Sequence, residues 1–188
     1  MDFTQFNNET FRSINQLADS WSALNPFMVF MAEYMLYILG MVLIGYVLTR
    51  SKRNRIMVGF AIVSCLVAEI FGRLAGLFYS HHQPFSVLPD ANQLIDHAID
   101  NSFPSDHSII FFSVCTVLLL FKRKTGAIWM FIACLVAISR VWVGVHYPVD
   151  VVTGGLFGIF SAVLVVKTMS GMPFARMDYS KEGVKRFS

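Results

Sequence analysis

The run Met35-Leu-Tyr-Ile-Leu-Gly-Met-Val-Leu-Ile-Gly-Tyr-Val-Leu-Thr-Arg-Ser-Lys-Arg-Asn-Arg55 is an unbroken apolar stretch that stops on a basic cluster. Such a boundary marks a helix leaving the hydrocarbon core of a membrane on its positively charged side. The rest of the chain follows the same grammar. Of its 188 residues, 55% are hydrophobic and 14% charged, and the mean hydropathy is +0.58. That is too apolar for a soluble domain and long enough for several crossings.

A helical span needs roughly 20 mostly apolar residues. Five segments qualify, at about 26 to 49, 56 to 79, 104 to 121, 126 to 143 and 150 to 168. The predicted fold class is therefore all-α, an integral membrane helical bundle. Residues 26–169 form its membrane domain. Arg50, Lys52, Arg53 and Arg55 fill one connection and Lys122, Arg123 and Lys124 another; Lys167, Arg176, Lys181, Lys185 and Arg186 mark the C-terminal end. All belong on the cytoplasmic side, so residues 170–188 read as a basic cytoplasmic tail. The connection 80–103 carries Asp90, Asp96 and Asp100 without Lys or Arg and belongs outside.

Residues 1–25 place Phe3, Phe6, Ile14, Leu17, Trp21 and Leu24 on one side of a helix, with Asp2, Glu9, Arg12 and Asp19 elsewhere. This reads as an amphipathic helix along the outer interface, with a sixth crossing as the alternative. No basic start followed by an apolar block suggests a cleavable signal peptide. Cys65, Cys115 and Cys134 lie inside apolar runs, where they act as small hydrophobes, and no disulfide or zinc framework follows. Small residues at helical spacing, Gly72 with Gly76 and Gly154 with Gly158, Ser161 and Ala162, suit close helix contact.

Charges inside spans are costly and are therefore informative. Glu33, Glu69, Arg73 and Arg140 all lie toward the outer ends of their segments. Glu69 and Arg73, four apart, can pair across one turn. Glu33 is either a partner for an arginine or a residue of the site entrance. Arg140 has no acid within a turn on its own helix and needs a partner from another segment or from a substrate; a bound phosphate would supply one. Two polar stretches lie at the same depth, Asn101-Ser-Phe-Pro-Ser-Asp-His107 and Ser139-Arg-Val-Trp-Val-Gly-Val-His-Tyr-Pro-Val-Asp150.

In the first of these, Pro104 suits the opening position of a helix, with Asn101 or Ser102 as its cap. The backbone N–H groups around Ser105, Asp106 and His107 then offer an anion site, to which the Ser105 hydroxyl adds a donor. In the second, Asp150 stands four residues after His146. A carboxylate there can accept from one ring nitrogen and leave the other bare and nucleophilic.

Pro104-Ser-Asp-His107 and Ser139-Arg-x5-His146-x3-Asp150 resemble the second and third motifs of the type 2 phosphatidic acid phosphatase superfamily. Over its whole length the chain resembles the bacterial undecaprenyl diphosphate phosphatases of the bacitracin-resistance type. The resemblance implies that His146 is the nucleophile, Asp150 its orienting partner and His107 the acid for the leaving group. Ser105 and Arg140 would grip the phosphate oxygens, with a polyprenyl diphosphate as substrate, membrane lipids as surroundings and no metal or other cofactor.

Two departures stand out. The superfamily's first motif, a lysine followed by Arg-Pro, is matched only by Gln83-Pro84, so Arg73 and Gln83 become candidates for binding substrate. Asp106 replaces the usual glycine of the second motif and becomes a further candidate at the substrate, where it would hold His107 protonated or orient a neighbouring base. His81 and His82, just before Gln83, read as a solvated loop pair, with a place in the site as the alternative.

Other readings of the same residues are a phosphatidylglycerophosphate or phosphatidate phosphatase, a small carrier using the intramembrane charges, and a metal hydrolase built on His107, His146 and Asp150.

Overall fold

The computed structural model describes residues 2–169 and 171. The expected basic tail, apart from Gly171, lies outside the described residues. Among them the chain forms nine α-helices: α1 (Phe3–Asn15), α2 (Leu17–Ser20), α3 (Asn25–Glu33), α4 (Met35–Leu48), α5 (Lys52–Phe78), α6 (Pro84–Val87), α7 (Asp106–Phe121), α8 (Arg123–Trp142) and α9 (Pro148–Met169). A 3₁₀ turn, Ser22–Leu24, joins α2 to α3.

Each of the five expected apolar segments is helical, but they are not equivalent. The helices α5, α8 and α9 are long and apolar enough to cross a membrane, and Ser22–Glu33 with Met35–Leu48, bent by 47°, reach that length and apolarity only as a pair. The fifth, α7, has 16 residues, about 24 Å at 1.5 Å per residue, shorter than the roughly 30 Å core. It is the hub of the bundle, packed against α9, α8 and α5. Most of its apolar side chains are accordingly buried in protein, with Phe111, Val117 and Leu118 fully enclosed and Leu120 left half exposed. The longer helices around it turn Leu77, Phe78, Ile128, Phe131 and Phe160 outward. An apolar exterior of this kind is what lipid solvates, and the protein is a multi-pass membrane protein.

Local chemistry fixes the ends that matter. Pro148 opens α9, where its missing N–H costs nothing, and Asp150 occupies the first turn. Between α8 and α9 the chain reverses at Gly144, whose φ of +89° only glycine adopts without strain. A Cβ there would also stand 2.2 Å from the Asn92 carbonyl oxygen. That close approach belongs to the connection 80–105, which is fastened rather than loose. The Leu94 N–H donates to the Val143 carbonyl at 3.1 Å, Phe85 N–H to Gly144 at 3.3 Å and Ser102 N–H to His81 at 2.8 Å.

The N-terminal helix lies against α8 and α9. Its protein-facing stripe is Asn7, Phe11 and Asn15, while Phe3 and Phe6 face outward. Asn15 sits at the junction: its amide nitrogen donates to Asn92 at 2.9 Å and to Trp142 at 2.8 Å, and its oxygen accepts from the Asn92 N–H at 2.7 Å.

Candidate active site

Five segments of backbone converge on one polar cavity of about 370 Å³, lined by Ala32, Glu33, Tyr34, Tyr37, Ile95, Asp96, His97, His107 and Arg140. They are the two sides of the α3/α4 bend, the long connection, the first turn of α7 and the last turn of α8.

Arg140 is only 3% exposed. One terminal nitrogen donates to the Ala32 carbonyl at 3.2 Å, at the bend, and its Nε has no hydrogen-bond partner in the protein. The Ser105 hydroxyl is likewise buried and unpartnered. Buried donors are rarely left unpaired, and those that are mark sites completed by something else. Both suit the oxygens of a phosphoryl group.

The buried His146 lies behind this cavity, its ring centroid 6.2 Å from that of His97. Its Nδ1 is 3.0 Å from the Ser102 carbonyl oxygen. A carbonyl only accepts, so Nδ1 carries the proton and Nε2 is the bare nitrogen. The expected direct bond to Asp150 is replaced by a relay. Asp150 Oδ2 is 3.7 Å from Nδ1, a charge contact longer than a hydrogen bond. Ser102 bridges the two, donating from its hydroxyl to Asp150 Oδ2 at 2.7 Å. The Tyr147 N–H donates to the same oxygen at 2.8 Å. Burial pushes the His146 imidazole below its ordinary pKa; contact with Asp150 opposes that shift and the nearby Arg140 adds to it.

The structure brings Glu33, His107 and Arg140 to the cavity wall, with His146, Asp150 and Ser105 packed behind it. Three candidates are not brought there. Gln83 is fully buried, its amide nitrogen donating to the Asp100 carboxylate and its oxygen accepting from the Asp100 N–H. It fastens the connection and has no face left for substrate. Arg73 and Asp106 line a separate cavity of about 440 Å³ with Glu69, Asn101 and Phe103. Asp106 and His107, about 100° apart on a helix, therefore face different spaces.

Two further expectations are corrected. The helix begins at Asp106 with Ser105 as its N-cap, so neither Asn101 nor Ser102 caps it. The Ser105 N–H is not free but donates to the Asp150 carbonyl at 3.2 Å.

Sequence reasoning missed several neighbours. Ser102 was visible in the motif but was assigned to capping. His81 is not simply solvated: its Nε2 stands 3.0 Å from Asp150 Oδ1, close enough to pair but out of line for a hydrogen bond. His97 gave no signal at all. Among the described residues, no three His, Cys, Asp or Glu side chains are grouped to hold a metal ion.

A multi-pass helical bundle with paired imidazoles and a buried arginine beside one cavity defines a class of membrane phosphatases. The chain belongs to the PAP2 superfamily, whose family model matches residues 55–172. It is 49% identical over 174 residues to the bacitracin transport permease protein BcrC of Bacillus licheniformis, covering 93% of this chain and 86% of that one. It is 34% identical over 166 residues to undecaprenyl-diphosphatase BcrC of Bacillus subtilis (strain 168), covering 84% and 86%. Among solved structures, Aquifex aeolicus LpxE superposes with a TM-score of 0.67 at 28% identity, covering 85% of this chain and 93% of that one. The protein is thus a membrane lipid phosphatase.

Proposed function

We propose that the protein hydrolyses undecaprenyl diphosphate to undecaprenyl phosphate and inorganic phosphate at the outer face of the membrane, through a phosphohistidine on His146. The observation that carries this reading is the His146 ring itself: Nδ1 is tied to the Ser102 carbonyl, leaving Nε2 bare, and the ring stands 6.2 Å from that of His97, which lines the cavity with His107 and Arg140. The relative named undecaprenyl-diphosphatase supports the choice of substrate.

In the first step Nε2 attacks the terminal phosphorus, the new N–P bond forms and the P–O bond to undecaprenyl phosphate breaks. His107 gives its proton to the departing oxygen. In the second, water attacks the phosphohistidine, the N–P bond breaks and His107 takes the water's proton. Asp150, through Ser102, holds His146 in the attacking tautomer. Arg140 and the Ser105 hydroxyl stabilise charge on the phosphoryl oxygens as it builds. A positioned acid contributes about a hundred- to ten-thousandfold in rate. The chain's own groups account for each proton in these two steps.

Outer sidedness rests on topology. From the cavity, α7 runs to the basic connection at Lys122–Lys124 and α8 returns, so site and basic residues lie at opposite ends of the bundle. In this reading residues 1–25 lie outside, 26–169 form the phosphatase domain and the tail is cytoplasmic. A carrier would place its charged groups near the midplane. These gather at one end.

The test is phosphate release by purified protein from undecaprenyl diphosphate, phosphatidylglycerophosphate and phosphatidate, with and without excess chelator. The expected result is a preference for the diphosphate, unchanged by chelator and abolished in His146→Ala. Normal turnover in His146→Ala would refute the nucleophile. Preference for either phosphatidyl substrate would reassign the lipid, and loss of activity in chelator would favour a metal hydrolase.

A further inference from the structure

The cavity beside His146 is short of positive charge. Of the residues that line it, Arg140 is the one arginine and none is lysine, while Glu33 and Asp96 bring two carboxylates. Neither Arg73 nor Gln83 reaches it. One guanidinium against two carboxylates is a poor match for a phosphoryl dianion, so further cationic donors have to come from the remaining lining residues. Only His97 and His107 can supply them, and His107 already has a role as proton donor.

We propose that His97 is a substrate-binding residue of this site, an imidazole that grips the oxygens of the transferring phosphoryl group in place of a second arginine. This rests on the phosphatase reading above and names a contact which that reading lacks.

The geometry supports it on three counts. The ring lines the cavity together with His107 and Arg140. Its centroid stands 6.2 Å from that of His146, so a phosphorus attacked by His146 would have its oxygens within reach. The ring is also held in place. Its Nδ1 lies 2.8 Å from the Ala98 carbonyl and so donates there, reserving Nε2 for another partner. Phe85 flanks it at 6.5 Å between centroids. The backbone before it is anchored by the buried Ile95 and by the Leu94 N–H to Val143 bond. A histidine whose only task was to close the loop would need none of this exposure to the cavity.

Orthovanadate, which imitates five-coordinate phosphorus, tests the proposal without reference to the lipid tail. Its binding to the full-length protein in detergent is measured directly, alongside KM and kcat on undecaprenyl diphosphate. His97→Ala should weaken vanadate binding by about tenfold or more, as loss of a charge-assisted contact does, and should raise KM. His97→Arg, which restores a cation, should recover most of the affinity. His97→Asn, which can keep the bond to the Ala98 carbonyl but carries no charge, should not.

Unchanged vanadate affinity in His97→Ala would overturn the proposal. So would recovery by Asn rather than Arg, since the residue would then be only a loop fastener. If the wild-type protein bound vanadate but ignored undecaprenyl diphosphate, the substrate assignment would fail and the His97 contact would stand or fall on the vanadate series alone.

Discussion

Ser102 bridges a spaced pair. His146 and Asp150 are too far apart for a direct hydrogen bond, and the serine carries the orientation across: its carbonyl accepts from the imidazole and its hydroxyl donates to the carboxylate. Ser102→Ala keeps the carbonyl and loses the hydroxyl. A hydrogen bond to a charged group is worth about 1.5–3 kcal/mol, so phosphoenzyme formation should slow by roughly 10- to 100-fold with KM little changed. Single-turnover measurements on the purified variant check this.

If His146 is the nucleophile, as proposed, the acid side of the pH profile is set by the same ring. Because burial lowers the His146 pKa, the neutral, nucleophilic form should persist below the ordinary value of about 6.5. The acid limb of phosphoenzyme formation should fall below that pH, and a limb at or above it would contradict the buried setting. The sign for stability follows. The unfolded chain takes up this proton first as pH drops, so the group's contribution is intact above about 6.5 and is lost toward the lower folded value.

At this scale the sequence was informative where polar groups stood against an apolar background, as with His107, Arg140, His146 and Asp150. It was silent where placement depended on the path of the connection, as with His97, and left His81 open between site and solvent. It misled where helical phase decided the outcome, as with Asp106.

Among the elements, the contact between α7 and α9 carries the site. Both motif segments are anchored to it, and it depends on glycine. A Cβ on Gly154 would stand 2.6 Å from the Ser105 carbonyl oxygen, and one on Gly158 would stand 2.7 Å from that of Ile109. These are backbone atoms and cannot rotate away. Gly154→Ala should therefore push α9 off the first turn of α7, at a cost of about 1–3 kcal/mol typical of overpacking. It should also disturb the Ser105 N–H to Asp150 bond. The expected outcome is a lower midpoint of thermal unfolding in detergent together with a loss of kcat.

The small-residue spacing was readable because close helix contact leaves that pattern in the sequence. The break between α3 and α4 was not. It falls inside one apolar run with no proline at the bend, and its use, placing the Ala32 carbonyl against Arg140, appears only when α8 is packed beside it. Asn15 makes the same point for the N-terminal helix. Asn15→Ala would leave the carbonyls of Asn92 and Trp142 and the N–H of Asn92 without their partner. Each unpaired buried group costs about 1–3 kcal/mol. The variant should be destabilised, with faster hydrogen exchange in the connection that carries His97.

At the scale of the whole molecule, the proposed sidedness rests on how the bundle distributes charge. The basic connections at 50–55 and 122–124 lie at one end, and the acidic connection that closes over the cavity lies at the other. Outside the bundle, lipid takes the place of water, so the hydrophobic effect fixes depth and the polar ends fix direction.

The consequence is testable in intact cells. In a background with Cys65, Cys115 and Cys134 replaced, a single cysteine at Ile99, an exposed position in the acidic connection, should react with a membrane-impermeant maleimide added from outside. A cysteine at Lys124, exposed in the basic connection, should react only after the cells are opened. The reverse pattern would put the cavity on the cytoplasmic side. Hydrolysis could still proceed through the same side chains there, but its substrate would have to be presented from the inner leaflet.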